Sequence, residues 1–370
     1  MSLLIVHCAD VHLETTFPDT RGGAGRRKAL ADAFVRIVDE AIRRGAAVLT
    51  IGGDLYEGER AGPQTFRFLA EQFARFGKPV YVAPGNHDPY GPGALFARKD
   101  LPPNVRVFSE ATWKAYPLAP EVTLWGFGHT SAEPGRPFSK ARFERGGVQI
   151  ALVHGSDEAR CPPNKRVTAP FNAAEIIASG ASLLLTGHYH GGYVVSQGGK
   201  PILAYPGSPE PIKFGEGPAH GALAVTVDGA SLDVRPIPTA RTRMSDVTCD
   251  LGGVAHEHGA FERISPALAG YGADDFVRLH LTGIVAEGTR LDRALIEDRL
   301  GTTLGSLEVS DETRSFDYES IAREPTVRGH VVRDLVALRR DRDGDGEAAR
   351  EAEAALRYAI AAFEGTEIAP

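Results

Sequence analysis

Side chains that commonly bind metal ions follow five short apolar runs of this chain. The polar endings are, in order, Asp10-Val11-His12, Gly52-Gly53-Asp54, Gly85-Asn86-His87-Asp88, His154-Gly155 and Gly187-His188-Tyr189-His190. Apolar runs of this length, flanked by glycine and polar residues, are typical of buried strands. Five such endings in succession predict strands of one sheet that deliver their polar side chains to one place.

Seven of these side chains are candidate metal ligands: Asp10, His12, Asp54, Asn86, His154, His188 and His190. Carboxylate, amide oxygen and imidazole together suit borderline divalent ions such as Mn, Fe or Zn. The set is larger than one tetrahedral site needs. It suits two ions about 3.5–4 Å apart that share a bridging carboxylate and clamp a phosphoryl group.

The backbone must bring these ligands together. Strand side chains alternate with a period of two, so Asp10 and His12 share a face if the strand continues past Val6, and His188 and His190 share one in the same way. Asp54 stands in the centre of the motif order and is the candidate bridging ligand. The alternative for Asp54 is a cap or turn residue that directly follows a strand.

Helical spacing of apolar residues predicts helices at residues 26–44 and 64–76, each between two motif strands. This βαβ alternation predicts parallel pairing. After His190 the chain changes to short strands with glycine-containing turns, and Asp228-Gly229 predicts a hairpin. We expect a parallel-rich sheet packed on a mostly antiparallel one, with helices outside both.

Composition sets limits on the class of protein. The chain has 370 residues, a formal net charge of −7 and three widely spaced cysteines. The cysteines predict neither a disulfide framework nor a zinc motif, which favours a reducing cytoplasm. The apolar runs are all shorter than the ~20 residues that cross a bilayer, so we expect no membrane association. The acidic balance neither supports nor excludes DNA, because bound divalent ions would invert the local charge.

The ordered set D-x-H, G-G-D, G-N-H-D, V-H-G and G-H-x-H resembles the calcineurin-like metallophosphoesterase superfamily. HCADVHL at residues 7–13 and YPGSPEP at residues 205–211 are similar to SbcD-type DNA repair exonucleases, in particular their YhaO-like branch. The resemblance implies an α/β fold, a four-layer α/β/β/α sandwich. It also assigns Asp10, His12, Asp54 and His190 to one ion, and Asp54, Asn86, His154 and His188 to the other.

His87 resembles the superfamily's catalytic histidine, and an imidazole there can protonate a departing oxygen. The alternative is a structural role beside the ligands. Asp88 either orients a partner or is a turn residue. Glu57 departs from the superfamily pattern, which often carries Asp, or His in some nucleases, three residues after the bridging Asp. Glu57 either holds His87 in the required tautomer or is an exposed loop residue.

Three ranges are predicted: a nuclease domain at residues 1–240, a small α/β capping domain at residues 245–322 and a C-terminal helical segment at residues 325–370 that could dock a partner. The boundary follows a stretch rich in Pro, Thr and Arg. Strand alternation at residues 276–283, helical spacing at residues 291–300 and two terminal helices define the rest. The capping role comes from the SbcD-type resemblance.

The function that fits best is hydrolysis of DNA phosphodiester bonds with two divalent ions. The resemblance implies exonuclease or structure-dependent endonuclease activity, Mn²⁺ as the preferred ion (with Fe, Zn or Mg as alternatives), a homodimer and an SbcC-like ATPase partner. The first alternative is a phosphodiesterase or phosphatase for a small substrate such as a cyclic nucleotide. The second is a non-catalytic scaffold, which the complete ligand set and His87 disfavour.

Overall fold

The computed structural model describes residues 2–17, 23–130, 134–143, 146–162, 165–286, 289–341 and 346–365. Contacts between residues divide the chain into two compact units. The first contains residues 1–245, 272–277 and 304–306, and the second contains residues 246–271, 278–303 and 307–370. The nuclease, capping and docking roles of the predicted ranges stay predictions.

Strands and helices alternate through the first half of the described chain. The strands are β1 (Leu3–Cys8), β2 (Val48–Ile51), β3 (Val80–Val82), β4 (Val105–Val107), β5 (Lys114–Ala119), β6 (Val122–Gly126), β7 (Val148–His154), β8 (Leu183–Gly187), β9 (Tyr193–Gln197), β10 (Lys200–Tyr205), β11 (Gly221–Asp228), β12 (Ser231–Pro238), β13 (Met244–Asp250), β14 (Phe276–Thr282) and β15 (Ser306–Asp311). The α-helices are α1 (Gly23–Arg43), α2 (Pro63–Phe76), α3 (Ala173–Ala178), α4 (Glu257–Leu268), α5 (Arg293–Leu300), α6 (Tyr318–Ala322), α7 (Val327–Asp341) and α8 (Gly346–Glu364).

The helices α1 and α2 confirm the predictions from apolar spacing. On α2, Phe66, Leu69 and Phe73 fall on one buried face. The helix ends where Gly77 adopts a left-handed conformation with φ 68° and donates its N–H to the carbonyl of Phe73. Glycine stabilises such a helix end because it has no Cβ to clash.

Two six-stranded sheets form most of the first unit. The first has the order β12-β11-β1-β2-β3-β4, and the second has the order β5-β6-β7-β8-β10-β9. The pairs β1-β2, β2-β3 and β3-β4 are parallel, as are β6-β7, β7-β8 and β8-β10. The expectation of a mostly antiparallel second sheet is therefore wrong, because its central strands pair in parallel.

The sequence predicts that the five motif strands lie in one sheet, and this prediction is wrong. β1, β2 and β3 belong to the first sheet, while β7 and β8 belong to the second. Local sequence patterns show strands but not which sheet a strand joins. The ligands still meet because the two sheets face each other with the ends of these strands close together. Glycine permits that approach: a Cβ added at Gly187 would lie 2.5 Å from the carbonyl oxygen of Gly52.

Successive side chains along a strand of the first sheet pack into two different cores, one on each face of the sheet, as the period of two in a strand predicts. Val6 and Leu49 pack with Phe34 of α1 in an outer core. Ile5 packs with Ile150 of the opposite sheet in a core between the sheets. A third core, on the outer face of the second sheet, contains Val153, Leu184 and Ile176 of α3, as part of a larger group. The layers are helix, sheet, sheet and helix, so the predicted α/β/β/α sandwich is confirmed.

The second unit holds most of a three-stranded sheet with the order β13-β14-β15. Its helices α6, α7 and α8 share a small core built on Tyr318, Val332 and Leu356. Within the described residues, Cys8, Cys161 and Cys249 are free thiols. In this described part of the chain, every helix is too short or too polar to cross a bilayer.

Candidate metal centre

The backbone beyond β1 is not a strand, so the predicted alternation is not what brings Asp10 and His12 together. β1 ends at Cys8, and Asp10 and His12 have φ angles of 54° and 51°. The N–H of Asp10 donates to the carbonyl of Gly53 at 3.0 Å, and the N–H of His12 donates to the carbonyl of Asp54 at 3.0 Å. These two hydrogen bonds hold the loop after β1 against the loop after β2. The left-handed conformations of Asp10 and His12 set the directions of their side chains.

Asp54 and His188 also have positive φ angles, of 51° and 110°. Such conformations cost about 1–3 kcal/mol each in a residue other than glycine and persist only where surrounding contacts impose them. They are often found at functional sites. Four of the seven predicted ligands share this feature, and this concentration marks the loops as a site.

Two groups of ligand atoms match the two predicted ion sites. In each group the ligand atoms lie within 4.8 Å of one another; one group is Asp10, His12 and His190, and the other is Asp54, His154 and His188. The Oδ2 atom of Asp54 lies 3.2 Å from Nε2 of His154 and 3.8 Å from Nε2 of His12. Asp54 therefore stands between the groups, where a bridging ligand is needed. The Oδ1 atom of Asn86 completes the second group at 3.0 Å from Nε2 of His154.

Each histidine ligand has one ring nitrogen occupied by a protein acceptor. Nδ1 of His12 bonds Glu57 at 2.8 Å, Nδ1 of His190 bonds Glu216 at 2.5 Å, Nδ1 of His154 bonds the carbonyl of Gly52 at 2.7 Å, and Nε2 of His188 bonds the carbonyl of Arg166 at 2.7 Å. Such a partner fixes the tautomer and leaves the other nitrogen's lone pair for a metal. In His12 and His188 this second nitrogen has no hydrogen-bond partner, whereas Nε2 of His154 lies 3.2 Å from Asp54 and Nε2 of His190 lies 3.4 Å from Lys165.

Three ligand atoms are buried without a hydrogen-bond partner: His12 Nε2, Asp54 Oδ2 and His188 Nδ1. An unsatisfied buried polar atom costs about 1–3 kcal/mol, more when it is charged. Two divalent cations, one at each group of ligand atoms, would satisfy all three atoms. The donor set consists of oxygen and imidazole nitrogen, which fits borderline ions. The residues present thus fit a metal centre.

The charge balance also favours a cation. Burial by itself would raise the pKa of Asp54, but the nearby His154 and His12 rings hold it well below its usual range. Burial lowers the pKa of His154, yet the Asp54 carboxylate outweighs burial and raises that pKa to about 9. Burial lowers the pKa of His188 to about 2, which keeps that ring neutral. A bound ion can replace the proton that His154 otherwise needs to balance Asp54.

Glu57 bonds two histidines. Its Oε2 accepts from Nδ1 of His87 at 2.8 Å, and its Oε1 accepts from Nδ1 of His12 at 2.8 Å and from the Thr15 hydroxyl at 2.8 Å. The contact with Glu57 raises the pKa of His87. The His87 side chain is 41% exposed, so it can reach a substrate, whereas Glu57 lies beneath it. The alternative of an exposed loop Glu does not describe this carboxylate.

Asp88 is buried and bonds backbone rather than His87. Its Oδ1 accepts from the N–H of Gly85 at 2.6 Å and of Asp54 at 3.1 Å, and its Oδ2 accepts from the N–H of Leu55 at 2.7 Å. Burial, reinforced by the Asp54 charge, raises the pKa of Asp88 to about 6. Asp88 therefore holds the Asp54 loop in place, which is a positioning role.

Residues 3–192 match the family model described as calcineurin-like phosphoesterase. The chain belongs to the calcineurin-like phosphoesterase family. Members of this family use a dinuclear metal site, and the two ligand groups are its counterpart in this chain.

The phosphoesterase is 28% identical over 226 residues to the uncharacterized metallophosphoesterase YhaO of Bacillus subtilis (strain 168). The match covers 56% of this chain and 53% of YhaO, so the chain spans about half the length of this relative. A dimetal phosphatase from Danio rerio has a similar solved structure, with 13% identity, a TM-score of 0.41, and coverage of 64% of this chain and 99% of that one. An archaeal phosphodiesterase matches with 10% identity, a TM-score of 0.36 and coverage of 64% and 99%.

Some partners of the ligands lie outside every motif. Glu216 holds His190 but follows it by 26 residues with no distinctive pattern around it. His129 is buried, and its Nε2 donates to the carbonyl of His154 at 2.8 Å. Since these contacts join distant parts of the chain, only the fold reveals them.

Replacing Glu57 with glutamine is expected to weaken metal binding and turnover together in this phosphoesterase. Partners that orient a metal-bound histidine are usually worth about 10–100-fold in affinity or activity. Because Glu57 holds both His12 and His87, Glu57→Gln should still cost activity in a His87→Ala background. The measurement is a double-mutant cycle that follows turnover and metal content. If the second change has no effect in the His87→Ala background, the contact with His12 does not contribute.

Gly85→Ala is expected to displace the bridging carboxylate. A Cβ at Gly85 would lie 2.2 Å from Oδ1 and 2.7 Å from the backbone nitrogen of Asp54. Such overpacking typically destabilises a fold by about 1–3 kcal/mol. Gly91→Ala is the matched control, since a Cβ there meets nothing within 4 Å. Thermal melts and metal content should change for Gly85→Ala only; equal behaviour of the two variants would contradict the prediction.

Proposed function

We propose that this phosphoesterase is a two-metal-dependent phosphodiesterase that hydrolyses DNA, as an exonuclease or structure-dependent endonuclease. The observation that carries the metal dependence is the set of buried, unpartnered ligand atoms on His12, Asp54 and His188. The same atoms belong to two ligand groups, and Oδ2 of Asp54 in one group lies 3.8 Å from Nε2 of His12 in the other. The DNA specificity is supported by the resemblance of residues 7–13 and 205–211 to SbcD-type nucleases.

Two bound divalent ions would supply an activated water and neutralise charge that develops on the phosphoryl oxygens. The chain's own residues then position the substrate and protonate the departing oxygen. His87, exposed and held by Glu57, donates a proton from its ring to the departing oxygen. The backbone N–H of His87 donates to Oδ1 of Asp54 at 2.8 Å, which fixes the acid relative to the ligands.

The space around the centre suits a substrate that extends in two directions. A cavity of about 630 Å³ opens beside His87 and is lined also by Tyr56, Arg60 and Tyr90. A second cavity, of about 400 Å³, opens beside His190. The two cavities share no lining residue. A diester with a group on each side of the phosphorus can occupy both, whereas a small cyclic nucleotide needs one.

The test is to incubate the metal-loaded protein with labelled single- and double-stranded DNA, bis-p-nitrophenyl phosphate and cyclic nucleotides. We expect metal-dependent cleavage of DNA and of the small diester, with Mn²⁺ the most effective of Mn, Fe, Zn and Mg. Efficient turnover of a cyclic nucleotide without DNA cleavage would contradict the DNA proposal and support the alternative, a phosphodiesterase for a small substrate. No turnover of any ester by a folded protein with two bound ions would support the scaffold.

The resemblance to SbcD-type proteins extends the proposal to a homodimer and to an SbcC-like ATPase subunit. Residues 325–370, which contain α7 and α8, are the proposed docking segment. Light scattering on the full chain tests the dimer. A monomer at micromolar concentration would contradict that part of the proposal and leave the proposed chemistry unaffected.

A further inference from the structure

The cavity beside His190 gathers positive charge from distant parts of the chain. Its walls include Arg160, Lys165, Tyr193, His190, Lys213 and Glu216. The Nζ atom of Lys165 lies 3.4 Å from Nε2 of His190, the ring nitrogen that faces the metal centre. If the group of Asp10, His12 and His190 held a divalent ion, the Lys165 ammonium beside it would be repelled unless an anion lay between them.

Among the described residues that line this cavity, Glu216 is the one carboxylate, and both of its oxygens are already engaged. Oε1 of Glu216 bonds Nδ1 of His190 at 2.5 Å, and its Oε2 accepts from the N–H of Ile212 at 2.7 Å. Arg160 is anchored by Asp157 at 3.2 Å and lies 5.6 Å above the Tyr193 ring. Its side chain is nevertheless 51% exposed, so the guanidinium can still meet a ligand.

The cavity beside His190 has no lining residue in common with the cavity beside the proposed general acid His87. The His12 ring contacts both of these histidines, with centroid distances of 4.8 Å to His87 and 5.0 Å to His190. If the leaving oxygen faces His87, the other ester substituent of the phosphorus extends toward His190. The basic cavity is then placed for the part of the substrate that remains on the scissile phosphate.

We propose that Arg160, Lys165 and Lys213 form a subsite for a second phosphate, the neighbour of the scissile phosphate on the retained side of a nucleotide chain. This inference rests on the proposed phosphodiesterase function and specifies its substrate. Basic side chains that approach the polynucleotide backbone neutralise its phosphates. The subsite selects substrates that carry a phosphate beyond the scissile one.

The experiment compares two p-nitrophenyl diesters with the metal-loaded full chain. One is the p-nitrophenyl ester of thymidine 5′-phosphate, and the other carries an additional 3′-phosphate; the pair is also made in the reverse orientation. In one orientation kcat/KM should be about tenfold higher with the second phosphate, the usual worth of a charge-assisted hydrogen bond. Lys213→Ala should remove most of that preference, and Lys165→Ala should do the same.

Lys200→Ala is the matched control, because Lys200 is an exposed lysine of the same unit that does not line the cavity. It should keep the preference. Thermal melts exclude misfolding of each variant. Equal kcat/KM for both esters in both orientations, or a preference that survives both Lys165→Ala and Lys213→Ala, overturns the subsite.

A binding measurement separates the subsite from the proposed function. Calorimetry compares thymidine 3′,5′-bisphosphate with the 3′- and 5′-monophosphates on the metal-loaded protein. If the protein cleaves no diester, the proposed function fails, and tighter binding of the bisphosphate that Lys213→Ala abolishes would still support an anion subsite. Equal binding of all three nucleotides would overturn it.

Discussion

Asp54→Ala is expected to be the most damaging single substitution in the chain, with a loss of turnover greater than about 10³-fold. Oδ2 of Asp54 lies 3.8 Å from His12 and 3.2 Å from His154, so its removal would take away the negative charge that the two proposed ion sites share. Its Oδ1 also accepts the N–H of His87 at 2.8 Å, so the general acid loses its anchor. Metal analysis should show fewer than two ions per chain.

Asp54→Asn is the sharper form of this experiment. The amide oxygen can keep the bond from the His87 N–H, while the charge between the two ion sites disappears. We expect Asp54→Asn to retain the native melting profile in chelator yet to lose metal and turnover nearly as severely as Asp54→Ala. Near-normal turnover of either variant with two bound ions would remove Asp54 from the bridging position.

His87→Ala is expected to lower turnover by about 10²–10⁴-fold while both ions stay bound. His87 faces solvent and bonds Glu57, and its ring nitrogen forms a third group of potential ligand atoms with His12 and Glu57, apart from the two groups that match the predicted ion sites. The measurement is turnover of DNA together with metal content of the purified variant. Loss of a metal ion from His87→Ala would show that His87 is a ligand and not the acid.

The leaving group provides the control for His87. A p-nitrophenolate departs without protonation, whereas a sugar alkoxide needs a proton. The loss in His87→Ala should therefore be much smaller for bis-p-nitrophenyl phosphate than for DNA. An equal loss on both substrates would mean that His87 orients the phosphate instead of protonating the leaving oxygen.

The sequence predicts the elements whose pattern is local. Helices α1 and α2 have apolar residues at helical spacing and lie within a few residues of the predicted positions, and α7 and α8 fall within the predicted C-terminal helical segment. Helix α4 was not predicted, and its Gly259 and Pro266 weaken the helical signal. Strand β5 was also not predicted. Nearly all of its residues are half-buried, and its polar and apolar residues do not alternate clearly along the sequence. Sheet membership was beyond prediction because pairing joins residues far apart in the chain.

At the site, the sequence predicts residue types but not the means of positioning. The motifs identify the carboxylates and imidazoles, and the fold brings them together. The left-handed conformations of Asp10 and Asp54 have no signature in the sequence, because most residues with positive φ are glycine. The double role of Glu57 depends on contacts 45 and 30 residues away, with His12 and His87. Such contacts become visible only when the loops are folded.

Four proposed ligands have positive φ angles: Asp10, His12, Asp54 and His188. These backbone conformations position the metal-binding side chains, but they also lower the stability of the fold against heat. At about 1–3 kcal/mol each, their strain is comparable to the whole folding stability of many domains. A library sorted only for soluble, heat-resistant protein should accumulate glycine or asparagine at these positions, because those residues adopt the conformation more readily. The selected variants would have a higher melting temperature but no turnover. Engineering of this enzyme therefore needs a screen that scores turnover alongside melting temperature.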